Sequence, residues 1–236
     1  MMALSLFDQY DKLVVFDTET TGLAYSRDQI IEFAAAVVTP KGEEEEYDAF
    51  VALAPGTSIP PKITELTGIT EDMIRAEGRS KAQVCGDMAR LFAGDRVLLC
   101  AYNAHFDLSF LYYMLLRDGD PAVLKGKDKL DLLTVYKDRR PYPHRLHAAI
   151  DAYHLGDSVR NSHRAIDDVL ATVAVMEAMA AEQDDLIRYI NLFGYNAKYG
   201  IEGKPISTVH YIPQGYHQRE PLYELAQSPD PSPAFL

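Results

Sequence analysis

The spacing of apolar and polar residues along the chain predicts alternating strands and helices. Short runs rich in β-branched and aromatic residues, bounded by turn residues, predict strands at residues 12–17, 30–38, 44–52 and 96–101. Apolar residues that recur every three or four positions predict helices at residues 80–92, 104–117, 130–136, 145–153 and 164–179, with two shorter helical pieces from residues 62 and 70. Three strands followed by alternating helices and strands are typical of an α/β layered fold with a mixed sheet.

Residues 184–236 differ in character from the rest of the chain. They carry interleaved aromatic and basic residues and end in a segment rich in proline and serine. We therefore divide the chain into a domain at residues 1–183 and an aromatic extension at residues 184–236, whose last ten or so residues we expect to be disordered. The extension could stack single-stranded bases or bind a partner, but apolar residues at 187–193 favour a helix that packs on the domain.

Composition places further limits on function. The formal net charge of −12 argues against an extended basic surface for duplex DNA, although bound divalent cations would reverse the sign locally. No apolar run is long enough to span a bilayer, and residues 1–5 do not resemble a signal peptide. Cys85 and Cys100 lie in apolar segments that predict buried thiols. We expect a cytoplasmic protein with no membrane partner.

Four carboxylates lie at element boundaries that could bring them together. Asp17 ends the first predicted strand and Glu19 follows two residues later, at the edge of the sheet where open α/β folds bind ligands. Asp107 begins the helix after a buried strand, and His163 and Asp168 lie five apart near the start of the last long helix, where both could face inward across one turn. Such a cluster of carboxylates predicts a hard-metal site.

The chemistry expected of this set is phosphodiester hydrolysis. Oxygen ligands favour Mg²⁺ or Mn²⁺, and two such ions clamp the attacking and leaving oxygens of a phosphodiester. A histidine, which titrates near neutral pH, can deprotonate the attacking water. His144, His147 and His154 lie close together in sequence, but no carboxylate or cysteine pattern beside them supports zinc, and we expect solvated or capping roles.

Three segments together resemble the exonuclease motifs of the DEDDh family, which includes the proofreading exonuclease of bacterial replicative polymerases and ribonuclease T. They are residues 16–23 (FDTETTGL), 103–107 (NAHFD) and 163–168 (HRAIDD), and residues 59–74 also match a loop of that family. The resemblance implies a ribonuclease H-like fold, two divalent metal ions, and release of nucleoside 5′-monophosphates from a 3′ end. It spans about residues 12–182.

The resemblance also assigns roles to individual residues. It implies that Asp17, Glu19, Asp107 and Asp168 hold the metals and that His163 is the general base in contact with substrate. The family's five-residue spacing selects Asp168 over Asp167. Substrate contacts are implied for the following residues: Thr18, Thr20, Thr21, Gly22, Leu23, Asn103 and Phe106. Core packing is an equally good explanation of Leu23 and Phe106, and Tyr102 departs from the histidine that many relatives have at that position.

Three functions remain open at this stage. The first is a 3′→5′ exonuclease acting on single-stranded DNA ends, and the second is an exoribonuclease that trims RNA. The third is a polymerase- or helicase-associated adaptor, although an adaptor need not retain all five catalytic residues. The length leaves no room for a polymerase in the same chain, so we expect a DNA polymerase partner, where there is one, to be a separate subunit.

Overall fold

The fold is built on a five-stranded mixed sheet. The computed structural model describes residues 5–160, 162–215 and 220–226. In this part the strands are β1 (Lys12–Thr20), β2 (Ile30–Thr39), β3 (Gly42–Phe50), β4 (Val97–Ala101) and β5 (Asp128–Asp131), with a smaller pair, β6 (Leu192–Tyr195) and β7 (His210–Pro213). The order in the large sheet is β3-β2-β1-β4-β5, with β1 antiparallel to β2 and parallel to β4.

Eight α-helices flank or connect the strands in the described residues. They are α1 (Pro61–Thr67), α2 (Glu71–Glu77), α3 (Lys81–Leu91), α4 (Ala104–Asp118), α5 (Leu132–Arg139), α6 (Leu146–Ala152), α7 (Ala165–Glu182) and α8 (Leu222–Leu225). Side chains determine several helix starts. The Thr70 hydroxyl accepts a hydrogen bond from the Met73 amide, and Ser80 and Gln83 form a reciprocal capping box at the start of α3.

Both faces of the sheet are covered, which explains the continuous apolar pattern of β2. Ala34 and Ala36 point into the core shared with α5, α6 and α7, whereas Phe33 and Ala35 point into the core shared with α3 and α4. Successive residues of a strand face opposite sides, so a strand buried on both sides is apolar throughout. The predicted α/β layers around a mixed sheet are confirmed.

One strand is missing from the sequence prediction. Residues 130–136 were expected to be helical, but Leu130 and Asp131 belong to β5, and only then does α5 begin. The strand has four residues, of which three are buried, and it runs directly into the helix. A strand this short has no measurable alternation, so the apolar residues of β5 and α5 merged into one helical pattern.

The extension packs against the domain but not as the helix expected at residues 187–193. A 3₁₀ helix at Leu186–Tyr189 is followed by β6. Asn191, in the left-handed conformation with φ of 56°, separates them, and its amide nitrogen donates to the Lys129 carbonyl on β5 (2.8 Å). Tyr189, Leu192 and Tyr223 are buried in the same core as α7. The predicted disorder of the last ten residues lies outside the described residues.

Within the described residues, no helix combines the length and the apolar character needed to cross a bilayer.

Candidate active site

Three of the predicted metal ligands lie together at the end of β1. Asp17 and Glu19 are two residues apart on this strand and so face the same side. Asp168 lies one turn into α7, which packs across β1 and β2. One carboxylate oxygen of each residue lies within 4.8 Å of the others, a spacing that one cation can bridge. The strand and the helix therefore bring together residues about 150 positions apart.

Asp107 is held beside this cluster by a different contact. It lies in the first turn of α4 and is buried. Its Oδ1 accepts hydrogen bonds from the Thr18 amide (3.0 Å) and from the Thr18 hydroxyl (2.6 Å). Thr18 lies between Asp17 and Glu19 on β1, so the residue between two clustered carboxylates fixes the position of a third.

Burial and nearby negative charge raise the pKa values of Asp17, Glu19 and Asp107. Burial raises the pKa of Asp17 well above its ordinary range, and the negative charge of Asp107 is the second largest cause. Burial and the charges of Asp168 and Glu32 raise the pKa of Glu19 to about 8. Burial also raises the pKa of Asp107 to about 7, although its two hydrogen bonds from Thr18 act in the opposite direction. Bound divalent cations would offset the repulsion between these crowded carboxylates, so the donor set is suited to Mg²⁺ or Mn²⁺.

Asp167 and Asp168 have different surroundings although they are adjacent. Successive residues of a helix point about 100° apart, so only one of the two can face the cluster. Asp168 is buried and belongs to the cluster, whereas Asp167 is half-buried and accepts a hydrogen bond from the Ser162 hydroxyl. The structure therefore places Asp168, and not Asp167, with Asp17 and Glu19.

His163 is not placed as the sequence pattern suggested. It was expected to face inward on the same helix as Asp168, but α7 begins only at Ala165, and His163 lies before it with an exposed side chain. The backbone of His163 is left-handed, with φ of 57°, which is uncommon for a residue other than glycine. The expectation of a shared helical face was wrong because the helix N-terminus falls between the two residues.

Comparison with known proteins identifies the family. A family model described as Exonuclease, of the RNase T type, matches residues 14–176. The chain belongs to this exonuclease family. The family predicted from the three motifs is confirmed, and with it the class of nuclease hydrolases.

Individual relatives agree with this assignment. The chain is 32% identical over 168 residues to the DNA polymerase III subunit epsilon of Treponema pallidum, covering 70% of this chain and 75% of the relative. It is 32% identical over 205 residues to the PolC-type DNA polymerase III of Clostridium perfringens, covering 86% of this chain but 14% of that much longer protein. E. coli exonuclease I, solved with a dA16 oligonucleotide, superposes with a TM-score of 0.68 at 25% identity, over 76% of this chain and 42% of that one. The predicted ribonuclease H-like fold is confirmed.

The threonines predicted to contact substrate have internal hydrogen bonds. The Thr20 hydroxyl donates to the Gly22 carbonyl (2.6 Å), and the Thr21 hydroxyl accepts from the Gln29 amide (2.9 Å). Gly22 is constrained by a close approach, because a Cβ atom there would lie 2.4 Å from Oδ2 of Asp28. These bonds give the turn after β1 a defined shape beside the carboxylate cluster.

Leu23 and the start of α4 form the exposed rim of the site. Leu23 is 72% exposed, which excludes core packing as the explanation of this leucine. Phe106 is half-buried and packs against Phe110, with ring centroids 4.9 Å apart. Asn103 is exposed and left-handed (φ of 72°) at the first position before α4. Tyr102, the departure from the family pattern, donates its hydroxyl to the His144 carbonyl (2.8 Å) and so has a structural contact.

Asp131 joins two helix starts beneath the site. Its Oδ1 accepts hydrogen bonds from the Asn103 and Ala104 amides (2.9 and 3.0 Å), and its Oδ2 accepts from the Thr134 amide and hydroxyl (3.2 and 2.6 Å). An aspartate just before a helix commonly caps it, as Asp131 does for α5. The same carboxylate also holds the start of α4, which carries Asp107, and no pattern in the sequence indicates this second contact.

A buried ion pair at the start of α7 was not predicted at all. Glu32 on β2 is fully buried opposite Glu19 on β1. Its Oε1 accepts from Nε and Nη2 of Arg164 (2.8 and 2.5 Å), and its Oε2 accepts from the Ala165 amide (2.8 Å). The signal was a single glutamate inside the apolar run 30–38, since an unpaired carboxylate is almost never fully buried. This pair fixes the helix that carries Asp168.

Proposed function

We propose that this chain is a divalent-metal-dependent 3′→5′ exonuclease that acts on single-stranded DNA and releases nucleoside 5′-monophosphates. The observation that carries the proposal is the convergence of the Asp17, Glu19 and Asp168 carboxylates within 4.8 Å, with Asp107 held beside them. Membership of the exonuclease family supports the same chemistry.

The proposed roles of the residues follow from their positions. Asp17, Glu19, Asp107 and Asp168 would hold two divalent ions, Mg²⁺ or Mn²⁺. When bound, such ions neutralise the scissile phosphate and lower the pKa of the attacking water. His163, exposed just before α7, would accept the proton of that water once substrate brings the two within hydrogen-bonding distance. Contacts that are long without substrate often shorten when it binds.

The turn after β1 and the start of α4 would position the strand end. Leu23 presents an exposed apolar side chain suited to a base, and the Asn103 side chain is free of the helix-capping bond that its position usually makes. The internal hydrogen bonds of Thr20 and Thr21 leave their hydroxyls engaged, so we propose that this turn contacts substrate through its backbone. Thr18 acts through Asp107 and not on the substrate directly.

Deoxyribonucleic acid is the favoured polymer. The relatives described above are named DNA polymerase III proteins, and exonuclease I was solved with a DNA oligonucleotide. The relation to a polymerase III subunit also supports association with a DNA polymerase, and hence action in replication or repair in the cytoplasm. An adaptor without activity is disfavoured because four crowded carboxylates cost folding energy that a docking role would not recover.

The test is cleavage of matched 5′-labelled single-stranded DNA and RNA oligonucleotides with Mg²⁺, with Mn²⁺ and with EDTA. The proposal predicts a ladder that shortens from the 3′ end only when metal is present, with DNA cleaved faster than RNA. If RNA were cleaved faster than DNA, RNA and not DNA would be the preferred substrate. No cleavage of either polymer by folded protein with metal would leave the adaptor as the better explanation.

A further inference from the structure

The extension forms one wall of a groove next to the candidate active site. The groove has a volume of about 130 Å³, and Leu23, Asn103 and Phe106 line its side toward the site. Residues 193–196 and 200–202 of the extension line it as well. The wall lies beyond residues 14–176, which are the ones that the family model matches. The groove therefore combines residues that the family model matches with a segment beyond that match.

The extension is attached to α4 at this point by specific contacts. Nδ1 of His105 accepts from the Tyr211 hydroxyl (2.6 Å), and Nε2 of His105 donates to the Glu202 carbonyl. The Gly194 amide donates to the Thr134 hydroxyl (2.9 Å) on α5. The two helices whose starts are hydrogen-bonded to Asp131, α4 and α5, are thereby both tied to the extension. The groove has a defined wall and not a loosely placed tail.

One lysine in this groove has no hydrogen-bond or ion-pair partner among the described residues. Lys137 on α5 is half-buried and lines the groove, and within the described ranges 5–160, 162–215 and 220–226 it makes no hydrogen bond or ion pair. Burial lowers the pKa of Lys137, and the more distant charge of Asp131 only partly offsets this. A half-buried ammonium group without a partner is unfavourable, so an anion in the groove would relieve it.

The two acidic residues that line the groove, Asp131 and Glu202, do not pair with Lys137 in the described residues. Asp131 lines the groove but already accepts hydrogen bonds from the starts of both α4 and α5. Glu202 also lines the groove, with its side chain exposed to solvent and its carbonyl bonded to His105. The half-buried side chains of Tyr195 and Phe106 supply apolar surface against which a base or sugar can pack.

The position of the groove indicates which phosphate of the substrate strand could bind there. None of the three clustered carboxylates Asp17, Glu19 and Asp168 lines it, so a phosphate held by Lys137 is not the one being cleaved. The 3′-terminal nucleotide carries no phosphate other than the scissile one. An anion of the substrate in this groove must therefore belong to a nucleotide upstream of the cleaved bond.

We infer that the groove between α4, α5 and the extension is a subsite for the upstream part of the single strand, in which Lys137 binds a backbone phosphate. This inference rests on the proposed exonuclease function. It gives the extension a role in gripping substrate, and it explains how a chain with a net charge of −12 holds a polyanion near its carboxylate cluster.

The experiment compares two substrates that differ only upstream of the scissile phosphate. One is the p-nitrophenyl ester of thymidine 5′-monophosphate, which has the scissile phosphate but no upstream nucleotide, and the other is a thymidine hexanucleotide. Both are hydrolysed by wild type, Lys137→Gln, Lys137→Arg and Lys41→Gln. Lys41 is the matched control because it is exposed in the turn between β2 and β3, at the opposite end of the sheet from Glu19.

Lys137→Gln should raise KM for the hexanucleotide by roughly tenfold or more, the size expected when a charge-assisted hydrogen bond is lost. Hydrolysis of the aryl ester should stay at the wild-type rate, Lys137→Arg should restore much of the affinity, and Lys41→Gln should change neither substrate. An unchanged KM for the hexanucleotide, or an equal loss on both substrates, would overturn the subsite.

A binding measurement separates the subsite from the activity. Fluorescence anisotropy of a labelled thymidine hexanucleotide, with Ca²⁺ in place of the catalytic metal, does not require turnover. If wild type hydrolyses neither substrate, the proposed function fails, and weaker binding by Lys137→Gln than by wild type and Lys41→Gln would still support the groove. Equal binding by all three proteins would refute the groove as a subsite, whatever the activity.

Discussion

The buried Glu32–Arg164 pair offers a quantitative test of how the start of α7 is held. In Glu32→Gln one carboxylate oxygen becomes an NH₂ group, so a donor will face either the Arg164 guanidinium or the Ala165 amide. Hydrogen bonds to charged groups contribute about 1.5–3 kcal/mol each. The Arg164 side chain is 30% exposed, so water can replace part of what is lost. We expect a loss of about 2 kcal/mol in the free energy of unfolding.

The assay is thermal unfolding followed by steady-state kinetics, both with saturating Mg²⁺. For a protein of this size a loss of about 2 kcal/mol lowers Tm by roughly 4–8 °C. Saturating metal matters because Glu32 also repels Glu19, and relief of this repulsion would mask part of the loss in metal-free protein. We also expect kcat to fall by up to about 10²-fold, since displacement of catalytic groups by about 1 Å can cost that much.

Glu45→Gln is the matched control on the same sheet. Glu45 pairs with Nη2 of Arg90 at 2.6 Å, but the two side chains are 38% and 53% exposed. An exposed pair is expected to contribute less than about 1 kcal/mol, and this one lies far along the sheet from the carboxylate cluster. If Glu32→Gln unfolds at the same temperature as Glu45→Gln, or loses stability while kcat stays at the wild-type value, the Glu32–Arg164 pair does not hold the start of α7 for catalysis.

Three further predictions follow from the site. Asp168→Asn should reduce kcat by more than the roughly 10–100-fold cost of losing an outer-shell partner, whereas Asp167→Asn should leave most of it; the reverse order in the same cleavage assay would overturn the placement of Asp168. His163→Ala should reduce kcat by roughly 10²–10⁴-fold, and an unchanged kcat across the pH range would remove it from the mechanism. Metal-free protein should lose stability as pH rises from about 4.5 toward about 8. The reason is that carboxylates with a raised pKa bind more protons in the folded than in the unfolded state. Each such group contributes at most about 1.4 kcal/mol per pH unit to the free energy of unfolding. In thermal unfolding this slope should shrink with saturating Mg²⁺ and in Glu19→Gln, and an identical slope with and without metal would contradict the electrostatic account.

The carboxylate cluster could be predicted because its members lie at element boundaries of recognisable segments. Asp17 and Glu19 share a strand face through their spacing alone, and the start of α7 is marked by a long alanine-rich pattern. The placement of His163 was predicted less well, because a one- or two-residue shift of a helix start decides whether a side chain lies on the helix or before it. Helix boundaries are the least certain part of any such pattern.

The contacts that support the cluster depend on pairings distant in sequence. Glu32 and Arg164 lie 132 positions apart, and no local pattern indicates that one neutralises the other. The groove at Lys137 requires the extension to return to α4 and α5, through contacts such as that of His105 with Tyr211. The short strand β5 disappeared into a helical pattern for a similar reason, since its identity depends on pairing with β4 and not on its own residues.

If Asp17, Glu19 and Asp168 form a divalent-metal site, as we propose, Mn²⁺ should bind among their carboxylates. The most direct measurement is anomalous diffraction at the manganese edge from crystals of the wild-type protein grown with Mn²⁺ and thymidine 5′-monophosphate, with Asp168→Asn as the comparison. We expect manganese among these carboxylates in wild type and its loss or weakening in the variant. Manganese absent from this cluster in folded wild-type protein, or bound equally well in Asp168→Asn, would contradict the proposed site.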